Sequence, residues 1–188
     1  MKTKRNILIN IGCGDLGREG WINIDAVKRP GIFRWNVLNG LPLESGSVEH
    51  IHMEHFLEHL EFGSGIELLE ECYRVLRPSG TIRIIVPDAG KYMNYYSVND
   101  GDFFTKLNRL GGAAEELPTK AAVCNQSFHM GGDHKFGWDF ETLQFACGKV
   151  GLNNIERSEL NNIEERYALD GQDWWRPLES LYVNCKKD

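Results

Sequence analysis

Short runs of β-branched and other apolar residues recur along the chain. The run 7–11 is closed by a glycine and the run 81–86 by Pro87, and each pattern predicts a buried strand. Shorter runs of the same kind predict strands over 21–24, 32–35 and 48–53, and a last one over 180–185.

Two segments instead repeat apolar residues at helical spacing. In the first, Ile66, Leu69 and Tyr73 share one face, and Ser64 opens an S-x-x-E pattern that predicts a capping box. The second follows Asp139, which is a favourable N-cap residue. Strands that alternate with helices predict an α/β fold, with a mostly parallel, Rossmann-like sheet and helices on both faces.

The stretch 92–136 breaks this alternation, since it is rich in glycine, asparagine and aromatic residues. It leaves the predicted strand 81–86 at its carboxyl end, the edge at which open α/β sheets bind their ligands. We therefore expect one domain, 1–188, in which 92–136 forms a partly helical cap over a ligand crevice. A surface insertion without function is the alternative.

Composition narrows the class of protein. The 188 residues include 21 Lys and Arg against 27 Asp and Glu, a formal charge of −6, which argues against a nucleic-acid partner. The five cysteines are scattered without a C-x-x-C pair, so we expect reduced thiols in a cytoplasmic protein. No apolar run has the length of a membrane span, and we expect no membrane insertion.

A glycine-rich loop follows the first predicted strand. Gly12, Gly14 and Gly17 match the dinucleotide fingerprint G-x-G-x-x-G, but Asp25, the acid at the end of the second predicted strand, follows Gly17 by only eight residues. That gap is too short for a helix and a strand, so a nicotinamide-dependent oxidoreductase is a disfavoured alternative. A carboxylate at this position can still accept two hydrogen bonds from a ribose diol, unless Asp25 only caps a turn.

Three longer motifs carry a family resemblance: INIGCGDLGREGWINID, LPLESGSVEHIHMEHFLEHL and CYRVLRPSGTIRIIVPD. They resemble class I S-adenosylmethionine-dependent methyltransferases, and most of all a subgroup of small bacterial enzymes. The resemblance covers about residues 7–92, and HKFGWDFETLQFACGKVGL and SLYVNCKK resemble the late helix and last strand of that family. It implies a seven-stranded sheet, S-adenosyl-L-methionine as cofactor, and methyl transfer to an acceptor.

The resemblance also implies roles for residues at matching positions. Gly12, Cys13 and Gly14 would line the methionine portion of the cofactor, and Asp25 would hold its ribose. Family members often carry an acid near position 36, where this chain has Asn36. The amide oxygen of Asn36 could still accept a hydrogen bond from the adenine amino group.

The remaining candidates lie at the end of the fourth predicted strand and in the cap. Met53 and Glu54 would contact the cofactor, and His55 is our candidate general base because histidine titrates near neutrality. His129 and His134 are candidate substrate-binding residues, with exposed loop histidines as the alternative. The acceptor is expected to be a small molecule, or a sugar or lipid precursor.

Two rival functions stay open at this point. The run 55–59 reads H-x-x-E-H, an inverted zinc-protease motif, so a zinc hydrolase is an alternative. We nevertheless expect no metal, because the methyltransferase motifs already account for these residues. A module that binds the cofactor without transferring methyl is the other alternative. Trp174 and Trp175 would form either an aromatic platform for a ligand or part of the core.

Overall fold

The computed structural model describes residues 6–108 and 117–188. Seven strands form one sheet in the order β3-β2-β1-β4-β5-β7-β6, in which β7 alone runs antiparallel to its neighbours. The strands are β1 (Ile7–Ile11), β2 (Ile22–Asp25), β3 (Phe33–Arg34), β4 (Val48–Glu54), β5 (Leu76–Pro87), β6 (Asn153–Ser158) and β7 (Ser180–Lys186). The predicted Rossmann-like, seven-stranded sheet is confirmed. Edge strand β6 escaped prediction because its sequence, NNIERS, is polar and largely exposed.

Six α-helices lie within the described residues. They are α1 (Phe62–Val75), α2 (Ala89–Ser97), α3 (Gly101–Asn108), α4 (Lys120–His129), α5 (Phe140–Lys149) and the short α6 (Arg176–Glu179). Asp139 caps α5 as predicted, since its Oδ1 accepts from the Thr142 amide at 2.9 Å. The capping box at Ser64 is wrong: α1 is already hydrogen-bonded from Glu61, whose carbonyl accepts from the Gly65 amide.

The two faces of the sheet differ in chemistry. Because side chains alternate along a strand, Ile9, Ile51 and Ile82 point to one face and their polar neighbours to the other. The first face, which we call the apolar face, packs against α1 and α5 in one core. We call the second the polar face, and its central side chains are buried although they are polar: Asn10, Asn23, His50, His52 and Arg83.

An irregular stretch lies over the polar face. We call residues 159–176 the covering segment. The Arg83 guanidinium donates to the Asp170 carboxylate at 2.6 and 2.5 Å and to the Glu159 carbonyl at 2.8 Å, and the Tyr167 ring stacks on His50 at 4.2 Å. Helices were expected on both faces, but over the centre of this face the contacts come from loops and one short 3-10 turn, Glu165–Tyr167. The reason is that the β1–β2 connection, 12–21, contains no helix.

The cap follows β5, as the sequence predicted. Helices α2, α3 and α4 enclose a second, smaller apolar cluster that includes Tyr92, Phe103 and Val123. Residues 109–116 of the predicted cap lie outside the described residues. Within the ranges that the structure describes, no helix is both long enough and apolar enough to cross a membrane.

Candidate functional site

The glycine loop turns sharply at the end of β1, with φ of +67° at Gly12 and +52° at Gly14. These angles favour glycine because a Cβ would be strained there. A Cβ on Gly12 would lie 2.1 Å from Cδ2 of Phe56, so the Phe56 ring packs directly on the loop. Above Gly14, by contrast, no neighbouring atom of the described residues lies within 4 Å of the Cβ position, which leaves room for a ligand.

Hydrogen bonds inside the chain already use the amides of this loop. The amides of Gly12 and Cys13 both donate to the Ile24 carbonyl, and the Gly14 amide donates to Oδ2 of Asp25 at 2.9 Å. Cys13 is buried, and burial together with the Asp25 charge raises its pKa to about 11, so it stays a thiol. With these three amides used and no helix N-terminus in 12–21, the loop lacks the usual pyrophosphate site of dinucleotide enzymes.

Asp25 ends β2 beside the loop. Its Oδ1 accepts from the Val27 amide at 2.7 Å and from Arg29 at 3.1 Å, in addition to the Gly14 bond on Oδ2. A carboxylate offers about four acceptor positions, so a ribose hydroxyl must share them or displace Arg29. The structure thus places Asp25 at the loop and also gives it the turn-capping role that the sequence left open.

Asn36 lies after β3 and is exposed. Its Oδ1 accepts from the Leu38 amide at 3.1 Å, which caps the turn Val37–Asn39. One lone pair of that oxygen and both amide protons stay available to an adenine ring.

Met53 and Glu54 lie at the end of β4, and their side chains contact other parts of the protein rather than the glycine loop. Met53 is fully buried in the core of the apolar face. The Glu54 carboxylate accepts from the Gly171 amide at 2.9 Å and pairs with Arg176 at 3.3 Å, which ties β4 to the covering segment. A cofactor contact from either residue would have to come from its backbone.

His55 follows β4 in a left-handed conformation, with φ of +47°. Its Nε2 lies 2.9 Å from the Ser180 hydroxyl, and its Nδ1 lies 3.5 Å from a Glu58 carboxylate oxygen. The Trp175 ring meets its imidazole edge to face at 5.8 Å. Burial, reinforced by the Arg176 charge, lowers the pKa of His55 well below 6.5, so the ring is neutral at pH 7.

A cavity of about 360 Å³ opens between this edge of the sheet and the cap. It is lined from three sides: by the chain after β4, by cap helices, and by the C-terminal end of the covering segment with the residues after it. Lining residues from these sides include His55, Glu58 and His59; Tyr92, Gln126, Ser127 and His134; and Trp175, Arg176 and Glu179.

The two cap histidines differ in position. His134 is buried, lines the cavity, and places Nδ1 2.5 Å from the Ser127 carbonyl. His129 is exposed and is not one of the residues that line this cavity. Of the tryptophan pair, Trp175 lines the cavity, whereas Trp174 is 64% exposed, so only the former is placed to contact a ligand.

Glu58 was not among the predicted site residues, although it belongs to the H-x-x-E-H run. Its side chain is buried in the cavity wall, and within the described part of the chain neither carboxylate oxygen has a hydrogen-bond partner. Burial raises its pKa to about 8. The nearest polar side chains are His55, and His134 with its Nε2 at 4.0 Å. The H-x-x-E-H run pointed to this residue, but no sequence signal pointed to Ser180 or Arg176.

Comparison with known families and structures agrees with this geometry. Residues 25–84 match a family model described as a methyltransferase domain. No curated protein sequence matches the chain.

Several solved structures share the fold. A SAM-dependent methyltransferase from Archaeoglobus fulgidus is 19% identical, with a TM-score of 0.60 over 97% of this chain and 86% of that one. One from Mesorhizobium loti is 16% identical, with a TM-score of 0.56 over 97% and 91%. One from Methanosarcina mazei is 15% identical, with a TM-score of 0.54 over 98% and 93%. At these identities the likeness concerns the fold.

Proposed function

Because the chain has the class I S-adenosylmethionine-dependent methyltransferase fold and a matching methyltransferase domain, we propose that it methylates a small molecule held in the cap cavity. The chain is a methyltransferase, and its cofactor is S-adenosyl-L-methionine. The acceptor and the residues that serve it are the proposal.

One observation carries it: the glycine loop and the cavity adjoin through two consecutive residues. The ring of Phe56 packs on Gly12, and the preceding residue, His55, lines the cavity. A cofactor whose methionine end lies at the loop therefore has its reacting end next to the cavity.

The loop suits this cofactor. Gly14 leaves an open cradle, and the Asp25 carboxylate beside it suits a diol. We propose that Gly12, Cys13 and Gly14 face the methionine portion, Asp25 the ribose and Asn36 the adenine, with Met53 and Glu54 contributing backbone. When bound, the cofactor supplies a methyl group on an already activated leaving group, so the protein acts largely by alignment.

The cavity fits a small acceptor, since its volume is near the lower end of the usual range of about 300–1,000 Å³. Its wall mixes apolar side chains with polar groups of the cap, among which His134 is the proposed substrate contact. A hydroxyl acceptor must lose a proton, and neutral His55 is the proposed base. Ser180 holds Nε2, so the proton would go to Nδ1.

Filling the cavity tests the proposal. Gln126→Trp should lower transfer of labelled methyl to small acceptors by at least about tenfold and leave cofactor affinity within about threefold, because it blocks acceptor binding only. Phenols, amines and sugars form the acceptor panel. Asn125→Trp is the matched control, since Asn125 is exposed and not part of the cavity wall.

Two results would count against this site. Undiminished transfer in Gln126→Trp would place the acceptor elsewhere. Cofactor binding without transfer to any acceptor class would favour the non-catalytic binding module.

A further inference from the structure

Two histidines and one glutamate converge in the wall of the cavity. One donor atom each from Glu58, His59 and His134 lie within 4.8 Å of one another. We propose that these three residues bind a divalent transition-metal ion of the zinc class. This differs from the sequence-based expectation of no metal. The sequence showed Glu58 and His59 as neighbours but could not show that the cap brings His134 to them.

The imidazoles are oriented as metal ligands usually are. A metal-binding histidine commonly donates its second ring N–H to a carbonyl or carboxylate, which fixes the ring. Nδ1 of His134 lies 2.5 Å from the Ser127 carbonyl, and Nδ1 of His59 lies 3.3 Å from the carbonyl and 3.4 Å from the carboxylate of Asp133. Both rings are therefore anchored through Nδ1, which leaves Nε2 of each for an ion.

Glu58 supplies the second, independent observation. Its side chain is 2% exposed, yet neither carboxylate oxygen has a hydrogen-bond partner among residues 6–108 and 117–188. A buried carboxylate without partners is costly, and a bound cation would remove that cost. In the proposed site these oxygens bind the ion at the point where the two histidines converge.

The backbone holds the two halves of the site together. The Glu58 carbonyl accepts from the amides of Lys135 at 2.7 Å and Phe136 at 3.2 Å, which fixes the segment carrying His134 against the turn carrying His59. Zn–N and Zn–O bonds are about 2.0–2.2 Å long, which places tetrahedral ligand atoms about 3.3–3.6 Å apart. Donors that lie 4.8 Å apart must therefore close by about 1.2–1.5 Å, through rotation of their side chains, when the ion binds.

The donor set also suggests a use for the ion. Two imidazoles and one carboxylate are a common catalytic zinc set, which leaves a position for another ligand. The same residues line the cavity, so that position would face the acceptor. An oxygen or sulfur acceptor would then bind the ion directly. This last step rests on the proposed function, whereas the metal site itself does not.

Direct metal binding tests the site without any acceptor. Untagged full-length chain, stripped with a chelator, is titrated with Zn²⁺ against a chromophoric chelator, and Co²⁺ absorption reports the ligand field. We expect one ion per chain. Loss of a hydrogen-bond partner of a metal ligand typically weakens metal binding by about tenfold to a hundredfold. Because His134→Ala and Glu58→Gln change the ligands themselves, each should weaken Zn²⁺ binding by more than that. His129→Ala, an exposed histidine in the same segment, should bind as the parent does.

The outcomes separate cleanly. Thermal unfolding of each stripped variant shows that it is folded, and Glu58→Gln keeps the side-chain shape if His134→Ala does not fold. Lack of stoichiometric binding in the parent, or unchanged binding in both ligand variants, would overturn the metal site. Calorimetric titration with S-adenosylmethionine on the same samples shows separately whether the cofactor site is intact.

Discussion

The two faces of the central sheet are buried in different ways. On the apolar face, Ile9, Ile51 and Ile82 meet two helices through contacts that have no direction. On the polar face, Arg83 and His50 each meet a specific partner in the covering segment, Asp170 and Tyr167 respectively. Both faces exclude water, but only on the polar one does burial cost free energy for each group that lacks a hydrogen-bond partner.

This difference bears on function because the polar face continues into the site. By strand alternation Asp25 lies in the row of Asn23, and Glu54 lies in the row of His50 and His52. The groups at the carboxyl edge are thus the ends of polar rows. The face that is harder to bury is the one that presents hydrogen-bonding groups to the crevice.

The largest effect is expected where the polar face loses a buried partner. Asp170→Ala should lower the free energy of unfolding by about 3–5 kcal/mol, because it leaves the Arg83 charge buried without its counterpart. Both side chains are fully buried, and Asp170 also accepts from the Asn161 amide at 2.7 Å. Urea unfolding of parent and variant gives the difference.

A matched control is available in the same segment. The Asp173 side chain is 59% exposed and lies 3.6 Å from Arg176. Asp173→Ala should change stability by less than about 1 kcal/mol, as exposed ion pairs do. Similar losses in Asp170→Ala and Asp173→Ala would mean that the polar face does not depend on buried pairing.

Most of the fold was predictable, and the contrast between the faces shows why. Strands β1, β4, β5 and β7 follow from runs of β-branched and other apolar residues, and α5 follows from the cap at Asp139. The covering segment has neither periodicity nor a cap signal, because its contacts are individual hydrogen bonds to side chains far away in sequence. Edge strand β6 was missed for a related reason. It is held in the sheet by hydrogen bonds to β7, and its own sequence presents no apolar face.

The candidate site was predictable up to its tertiary contacts. The glycine loop, Asp25 and His55 come from local motifs, and the structure places them at one edge of the sheet. Trp175 lines the cavity, whereas His129 does not. This difference depends on how the cap and the C-terminal residues fold back over the sheet. Asp25 shows where prediction from the sequence ends, because no sequence pattern indicates its hydrogen bond to Arg29.

A smaller effect is expected for Asp25. Its partner Arg29 can be displaced by a ligand, whereas Arg83, the partner of Asp170, is buried with it. Asp25→Ala should weaken S-adenosylmethionine binding about tenfold to a hundredfold, from a micromolar constant, because ribose hydrogen bonds are lost. Calorimetry measures the change. Asp102→Ala, an exposed aspartate on α3, is the control. Unchanged affinity in folded Asp25→Ala would leave Asp25 with its turn-capping role alone.

The polar face should also respond to pH through His50. Burial, together with the charges of His52, Arg83 and Arg166, lowers its pKa well below 6.5. Folded protein therefore keeps His50 neutral where unfolded chain protonates it. Above pH 6.5 His50 therefore leaves the free energy of unfolding independent of pH. Below that value the free energy of unfolding falls by up to about 1.4 kcal/mol per pH unit.

Replacing the imidazole isolates this contribution. His50→Phe keeps a flat ring against Tyr167 but cannot take up a proton. Urea unfolding at pH 7.0 and pH 5.5 should show a smaller loss of stability on acidification in His50→Phe than in the parent. An equal loss in both proteins would show that His50 does not titrate differently in the folded and unfolded states.

The smallest effect is expected on the apolar face, where Ile51 is fully buried between its neighbours in the core. Ile51→Val removes one methylene and should lower the free energy of unfolding by about 0.5–1.5 kcal/mol, the usual transfer and cavity cost of that change. Because no hydrogen bond or charge is lost, the difference should be the same at pH 7.0 and pH 5.5. Ile163→Val, at a half-buried position in the covering segment, should change stability by less than about 0.5 kcal/mol. A loss at Ile51 as large as that of Asp170→Ala, or one that varies with pH, would remove the distinction between the two faces.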